Sequence, residues 1–212
     1  MEKILDHILA YPVLPVYYHD NPQTCIDVVN ACYKGGIRVF EFVNRGANAL
    51  DNFGHLLEFR NANLPELKLG IGTIKDAATA RQYLKAGADF IVSPVVKREI
   101  AEVTLQQNVL WIPGCMTPTE ISLAEDLGAP LVKLFPGDTL GTKFLKAIKP
   151  LFPTMRFMPT GGVSPDQQNI SEWFEAGVSA VGMGSKLFAQ PAGAAGYDWL
   201  AERAGQLMGW VK

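Results

Sequence analysis

Short apolar runs and longer runs with helical spacing alternate along this chain about eight times. Residues 13–18 form the first apolar run and read as a strand. Asn21-Pro22 then opens a helix to about residue 33, closed by Lys34-Gly35-Gly36, because proline suits a first helical turn and glycine a helix end. The same alternation predicts further strands over 38–43, 68–73, 89–93, 109–113, 131–135, 156–159 and 180–183. Helices follow them over 49–60, 76–85, 97–106, 118–127, 141–148, 166–176 and about 197–208. Thr117-Pro118-Thr119-Glu120 is a clear helix start, and Ala86-Gly87 and Gly177 are helix ends.

Eight β-then-α units without a break in composition predict an α/β fold, a single (β/α)8 barrel, with one domain over 1–212. A chain of 212 residues lies near the lower end for such a barrel, so its loops must be short. An open, doubly wound sheet shares the βαβ repetition, but no G-x-G-x-x-G fingerprint follows the first strand.

Composition narrows the partners. Hydrophobic residues make up 48% and charged residues 19%, an ordinary globular mix. The formal net charge of -2 leaves no basic stripe to neutralise phosphates, which speaks against nucleic acid but not against a small anion. No stretch approaches the ~18 apolar residues of a membrane span, and residues 1–12 are too interrupted by charge for a signal peptide. Cys25, Cys32 and Cys115 are odd in number and lack C-x-x-C spacing, which points to a reducing cytoplasm rather than to disulfides or zinc.

The unusual polar residues fall at one end of the predicted strands. Those ends carry Glu41 with Arg45, Thr73, Ser93-Pro94, Pro113-Gly114, Lys133, Thr160-Gly161-Gly162 and Gly184-Ser185. In a barrel they would meet at one mouth, where active sites of this fold lie. Lys133 stands in an otherwise apolar run and shares a face with Leu131 and Phe135 by the two-residue period. A buried ammonium ion is costly and tends to lose its proton, and a neutral amine attacks carbonyl carbons. A lysine at a strand end can also snorkel to solvent or pair with a carboxylate. The clustering at one mouth favours the reactive reading.

Glu41 lies between Phe40 and Phe42, where an ionised carboxylate is poorly solvated and suited to exchanging protons. A structural Glu41–Lys133 ion pair across the barrel uses the same geometry. Arg45 can hold a substrate carboxylate through two parallel hydrogen bonds, or it can be a surface loop residue. Gly161, Gly162 and Gly184 let backbone N–H groups approach a phosphate at the usual phosphate position of this fold, with the Ser185 hydroxyl beside them. Glycines there also simply permit tight turns. His7, His19 and His55 show no metal-ligand spacing and read as surface residues, so no metal is expected. Trp111 reads as core or mouth packing.

Taken together, these segments resemble the class I aldolases that cleave 2-keto-3-deoxy-6-phosphogluconate and 4-hydroxy-2-oxoglutarate. The likeness runs from about Ile8 to Phe188 and rests on the order and spacing of several motifs. They are Gly36-Ile37-Arg38-Val39-Phe40-Glu41, Gly70-Ile71-Gly72-Thr73, Ser93-Pro94, Ile112-Pro113-Gly114, Val132-Lys133-Leu134-Phe135-Pro136, Pro159-Thr160-Gly161-Gly162-Val163 and Gly182-Met183-Gly184-Ser185. The resemblance implies a Schiff base on Lys133, with Glu41 as general acid and base and no cofactor. It implies pyruvyl-carboxylate binding by Arg45 and Thr73, with Pro94 lining that end. Phe135 would pack on the intermediate, Thr160 would lie near the hydroxylated carbons, and Gly161, Gly162, Gly184 and Ser185 would take the phosphate of a sugar-phosphate substrate. It also implies a homotrimer.

The chain departs from the family's Glu-Val-Thr-Leu-Arg-Thr/Ser pattern with Glu41-Phe42-Val43-Asn44-Arg45-Gly46, which bears on substrate preference. Gly137 stands where alanine is commoner. Two other readings stay open at this point. One is a phosphate-binding epimerase or isomerase in which the lysine only binds charge. The other is a catalytically silent barrel that binds a keto acid or sugar phosphate.

Overall fold

The computed structural model describes residues 1–211. Its strands are β1 (Val13–Tyr17), β2 (Val39–Val43), β3 (Lys68–Gly72), β4 (Phe90–Ser93), β5 (Leu110–Cys115), β6 (Leu131–Leu134), β7 (Arg156–Pro159) and β8 (Val181–Met183). The helices are α1 (Glu2–Ala10), α2 (Pro22–Lys34), α3 (Ala49–Asn63), α4 (Ala77–Ala86), α5 (Arg98–Gln106), α6 (Pro118–Asp126), α7 (Gly137–Ile148), α8 (Gln167–Ala176) and α9 (Asp198–Trp210). All eight strands join one parallel sheet in the order β7-β6-β5-β4-β3-β2-β1-β8. The ring closes between β7 and β8 through a single parallel bridge, Thr160 to Gly182, and the Ser179 N–H donating to the Phe157 carbonyl at 2.8 Å. This is the (β/α)8 barrel that the alternating pattern predicts.

Strand parity divides the core in two. Leu14, Val39, Phe90, Leu110, Leu131 and Met158 fill the inside of the barrel, while Val132, Leu134, Phe40, Phe42 and Ile91 pack outward beneath the helices. Leu5 and Ile8, one turn apart on α1, join the inner cluster and plug the end where the strands begin. This helix precedes the eight repeating units and lies outside them. His7 on α1 is half-buried rather than exposed, and its Nε2 lies 3.1 Å from the Arg38 carbonyl oxygen.

The predicted helix signals act as read. Asn21 caps α2 by accepting from the Thr24 N–H, and Thr117 and Glu120 form a reciprocal capping box on α6. Gly87 and Gly177 end α4 and α8 in the left-handed conformation. Several boundaries move: α3 runs on to Asn63 rather than residue 60 and α9 to Trp210, and two further shifts bear on the site. Strand β5 continues past Pro113, because Gly114 and Cys115 pair with Lys133 and Leu134. Helix α7 begins at Gly137 rather than Gly141, because the Gly137 N–H donates to the Thr160 carbonyl at 2.8 Å and fixes an extra turn. Gly141 (φ 69°, ψ 174°) interrupts the helix, and the apolar spacing becomes regular only beyond it.

Candidate active site

Strands β2 and β6 face each other across the barrel, with three strands between them on either side. Lys133 on β6 and Glu41 on β2 therefore project towards one another, and the Lys133 ammonium donates to Glu41 Oε1 at 3.3 Å. Lys133 is 6% exposed and Glu41 fully buried. The room for this carboxylate comes from β3, where a Cβ on Gly72 would run into Glu41 Oε1. Glu41 Oε2 has no hydrogen-bond partner among the described residues, and neither has Thr160 Oγ1. An unpartnered buried polar atom costs about 1–3 kcal/mol, so both are poised for a group that arrives from outside.

Thr160 sits on the closing seam, where Gly182 leaves its hydroxyl the space that a Cβ would fill. Beyond it, Gly161 (φ 93°) and Gly162 (φ 75°) turn the chain in the left-handed region that glycine tolerates. On the other side of the mouth, Arg45 Nε donates to Thr73 Oγ1 at 3.2 Å. Thr73 holds φ 64°, a conformation that costs a β-branched residue about 1–3 kcal/mol and is concentrated at functional sites. Asn44, one of the departures from the family pattern, anchors this loop. Its N–H donates to the Gly72 carbonyl at 3.0 Å and its Oδ1 accepts from the Tyr83 hydroxyl at 2.9 Å. Ser93 accepts from Trp111 Nε1 at 2.9 Å and donates to the Val95 carbonyl at 2.7 Å, so Trp111 is structural packing. Pro94 presses its carbonyl on Gly114, where no side chain would fit.

A cavity of about 790 Å³ opens at this end of the barrel. Of the expected residues, Arg45, Phe135, Thr160, Gly161, Gly162, Gly184 and Ser185 line it. Lys133, Glu41, Thr73 and Pro94, expected at the same mouth, are not among its lining residues; Lys133 and Glu41 are buried, and Thr73 and Pro94 partly exposed. The Lys133 nitrogen lies 5.4 Å from the centre of the Phe135 ring, which does line the cavity. Tyr17, Tyr18, Asp138, Lys186 and Phe188 also face the cavity and were not expected there. Strand parity from Leu14 and Val16 leads to Tyr18, so its place was available to sequence reasoning. Asp138 and Lys186 carry no such signal. Burial pushes the Tyr17 hydroxyl up to about 12 and keeps it protonated. Among the described residues no group of three His, Cys, Asp or Glu side chains is arranged to hold a metal ion.

Residues 4–199 match the model of the KDPG and KHG aldolase family. The chain is 37% identical over 153 residues to the 2-dehydro-3-deoxy-phosphogluconate aldolase of Pseudomonas aeruginosa, covering 72% of this chain and 68% of that protein. It is 32% identical over 155 residues to the KHG/KDPG aldolase of Escherichia coli, covering 73% and 71%. The 2-keto-3-deoxy-6-phosphogluconate aldolase of Zymomonas mobilis, solved with 3-phosphoglycerate, superposes with a TM-score of 0.86 at 26% identity over 99% of this chain and 97% of that one. The KDPG aldolase of Legionella pneumophila, with pyruvate captured as a covalent carbinolamine, superposes at 0.83 with 26% identity over 94% and 95%. The chain belongs to the KDPG and KHG aldolase family.

Proposed function

We propose that Lys133 is the Schiff-base lysine of this aldolase and that Glu41 moves its protons. The observation that carries the reading is the buried amine–carboxylate pair, 3.3 Å apart on opposite strands beneath the cavity. To attack, the amine must give up a proton, and Glu41 is within reach of it. The amine nitrogen then bonds to C2 of a 2-keto acid, and loss of water leaves a protonated imine. Glu41, directly or through a water, takes the C4 hydroxyl proton while the C3–C4 bonding electrons move into the imine. An aldehyde departs and an enamine remains. Protonation at C3 and hydrolysis release pyruvate and restore the amine.

The remaining roles follow the geometry. Arg45, tethered to Thr73, is positioned for the pyruvyl carboxylate, with Pro94 behind that end. Phe135 packs on the intermediate, and Thr160 Oγ1, free of partners, meets the hydroxylated carbons. Gly161, Gly162, Gly184 and Ser185 cradle the distal phosphate of a 2-keto-3-deoxy-6-phospho sugar acid. The lysine nitrogen supplies the electron sink, so the reaction calls for no cofactor.

The compartment we infer is the cytoplasm, supported by three buried free thiols. No helix among the described residues is long and apolar enough to cross a membrane. The assembly we infer is a homotrimer, supported by exposed Val95, Leu105, Met116 and Leu123 on neighbouring units of the barrel. The mechanism is tested by coupled assay of pyruvate release. Lys133→Ala is expected to remove turnover, and a variant that keeps it would remove the lysine from the reaction.

A further inference from the structure

Three charged side chains line the cavity, Arg45, Asp138 and Lys186. Arg45 is tethered to Thr73. The other two stand at the glycine turns. Lys186 follows Gly184 and Ser185 after β8, and its Nζ donates to Ser164 Oγ at 2.8 Å. Ser164 lies two residues past Gly162 in the turn after β7, so the lysine side chain links the two turns. Ser164 is itself fixed, because its N–H donates to Asn169 Oδ1 at 2.8 Å on the first turn of α8.

The charge of Lys186 is not used within the chain. Asp138 faces the same cavity, yet no carboxylate, that of Asp138 included, forms an ion pair with Lys186 among the described residues. Asp138 Oδ1 instead accepts from the Thr139 N–H at 3.0 Å, and Asp166 Oδ1 caps α8 by accepting from the Asn169 N–H at 3.0 Å. An uncharged serine takes one of the three ammonium N–H groups, which leaves two for a ligand.

A phosphate monoester carries nearly two negative charges at neutral pH. The N–H groups of the glycine turns offer it dipoles but no net charge. Asp138 works against it, since a Cβ on Gly161 would stand 3.5 Å from Asp138 Oδ1, and the carboxylate therefore lies beside the same turn. Of the side chains that line the cavity, only Lys186 can offset this charge at the glycine end. Resting on the aldolase reading, with the glycine turns as the phosphate cradle, we propose that Lys186 is a further binding residue, which supplies the countercharge for the distal phosphate. The contact is made to a part of the substrate that does not react, so it is felt equally in the bound substrate and in the transition state. Its loss therefore raises KM and leaves kcat little changed.

The test measures kcat and KM of the wild type, Lys186→Met and Lys186→Arg on 2-keto-3-deoxy-6-phosphogluconate and on the same sugar acid without its phosphate. Both substrates share the pyruvyl half and the bond that breaks, so damage to the fold or to the shared machinery lowers both together. The wild type is expected to prefer the phosphorylated substrate. Lys186→Met, which keeps an unbranched stem, is expected to cut that preference in kcat/KM roughly tenfold, the scale of one lost charge-assisted hydrogen bond, and to do so through KM. Lys186→Arg, which keeps the charge, is expected to restore most of it. An unchanged preference in Lys186→Met, an equal fall on both substrates, or a Lys186→Arg variant as impaired as Lys186→Met would overturn the assignment. A wild type that cleaves both substrates equally well would remove the phosphate cradle and this proposal with it. Failure of the aldolase reading shows itself separately, as a wild type that cleaves neither.

Discussion

The two ends of this barrel are built from the same strands, two residues apart, and they have opposite chemistry. At the α1 end the inward positions are Val39, Leu131 and Met158, closed by Leu5 and Ile8 of the plug. One step along the inward face, the same three strands carry Glu41, Lys133 and Thr160. The lower layer is apolar and self-sufficient. The upper layer holds an ion pair with one spare carboxylate oxygen and an unpartnered hydroxyl. Burial of charge and orphaned polar atoms costs stability, whereas fully burying each leucine or isoleucine contributes about 1.5–3 kcal/mol. The lower half therefore stabilises a geometry from which the upper half, taken alone, would relax.

The sharpest way to separate the halves is a pair of substitutions. Glu41→Gln keeps the shape and an oxygen for the Lys133 ammonium but removes the proton acceptor. Turnover is expected to fall by ~10²–10⁴-fold, read as kcat under saturating substrate. A near-wild-type rate would show the pair to be structural. Ile8→Ala in the plug is expected to do the reverse. It should lower stability by about 2–5 kcal/mol, visible as a lower Tm, while kcat at 25 °C stays close to the wild type. A comparable loss of kcat would mean that the two layers are not separable.

The smallest effect concerns neither layer. Burial pushes the Glu120 carboxyl up, but the N–H groups of Met116 and Thr117 and the Thr117 hydroxyl donate to it and hold it below the usual carboxylate range. Its stabilisation is complete above the ordinary carboxylate pKa and is lost as pH falls through the lowered value. Thr117→Ala should cost about 1 kcal/mol near neutrality, or roughly 2–4 °C in Tm, with kcat unchanged. The gap between variant and wild type should narrow in acid. A gap that widens there would reverse the sign of this argument.

What could be read from the sequence was whatever depends on near neighbours. The alternation of 2-residue and 3.6-residue periods, the caps at Asn21 and Thr117, and the shared parity of Leu131 and Lys133 all survive in the structure. What could not be read depends on distant partners. Helix α1 lies outside the repeating units, so its role as a plug appears only when the strand interiors meet Leu5 and Ile8. Gly46 looks like one more loop glycine until Tyr18, 28 positions earlier, is placed against it. Asn44 reads as a change in a substrate loop, yet its amide oxygen is tied to Tyr83 on α4. Asp138 and Lys186 read as ordinary surface charges because nothing local marks the turns that carry them as cavity wall.

The central claim is that the lone lysine of the inward layer forms a covalent bond with a keto acid. It is tested most directly by incubating the protein with pyruvate and sodium borohydride, followed by intact and peptide mass measurement, with Lys133→Ala as control. The account predicts one pyruvate-sized adduct per chain, located on Lys133 and missing from the variant. An unmodified wild type, or an adduct that persists in Lys133→Ala, would contradict it.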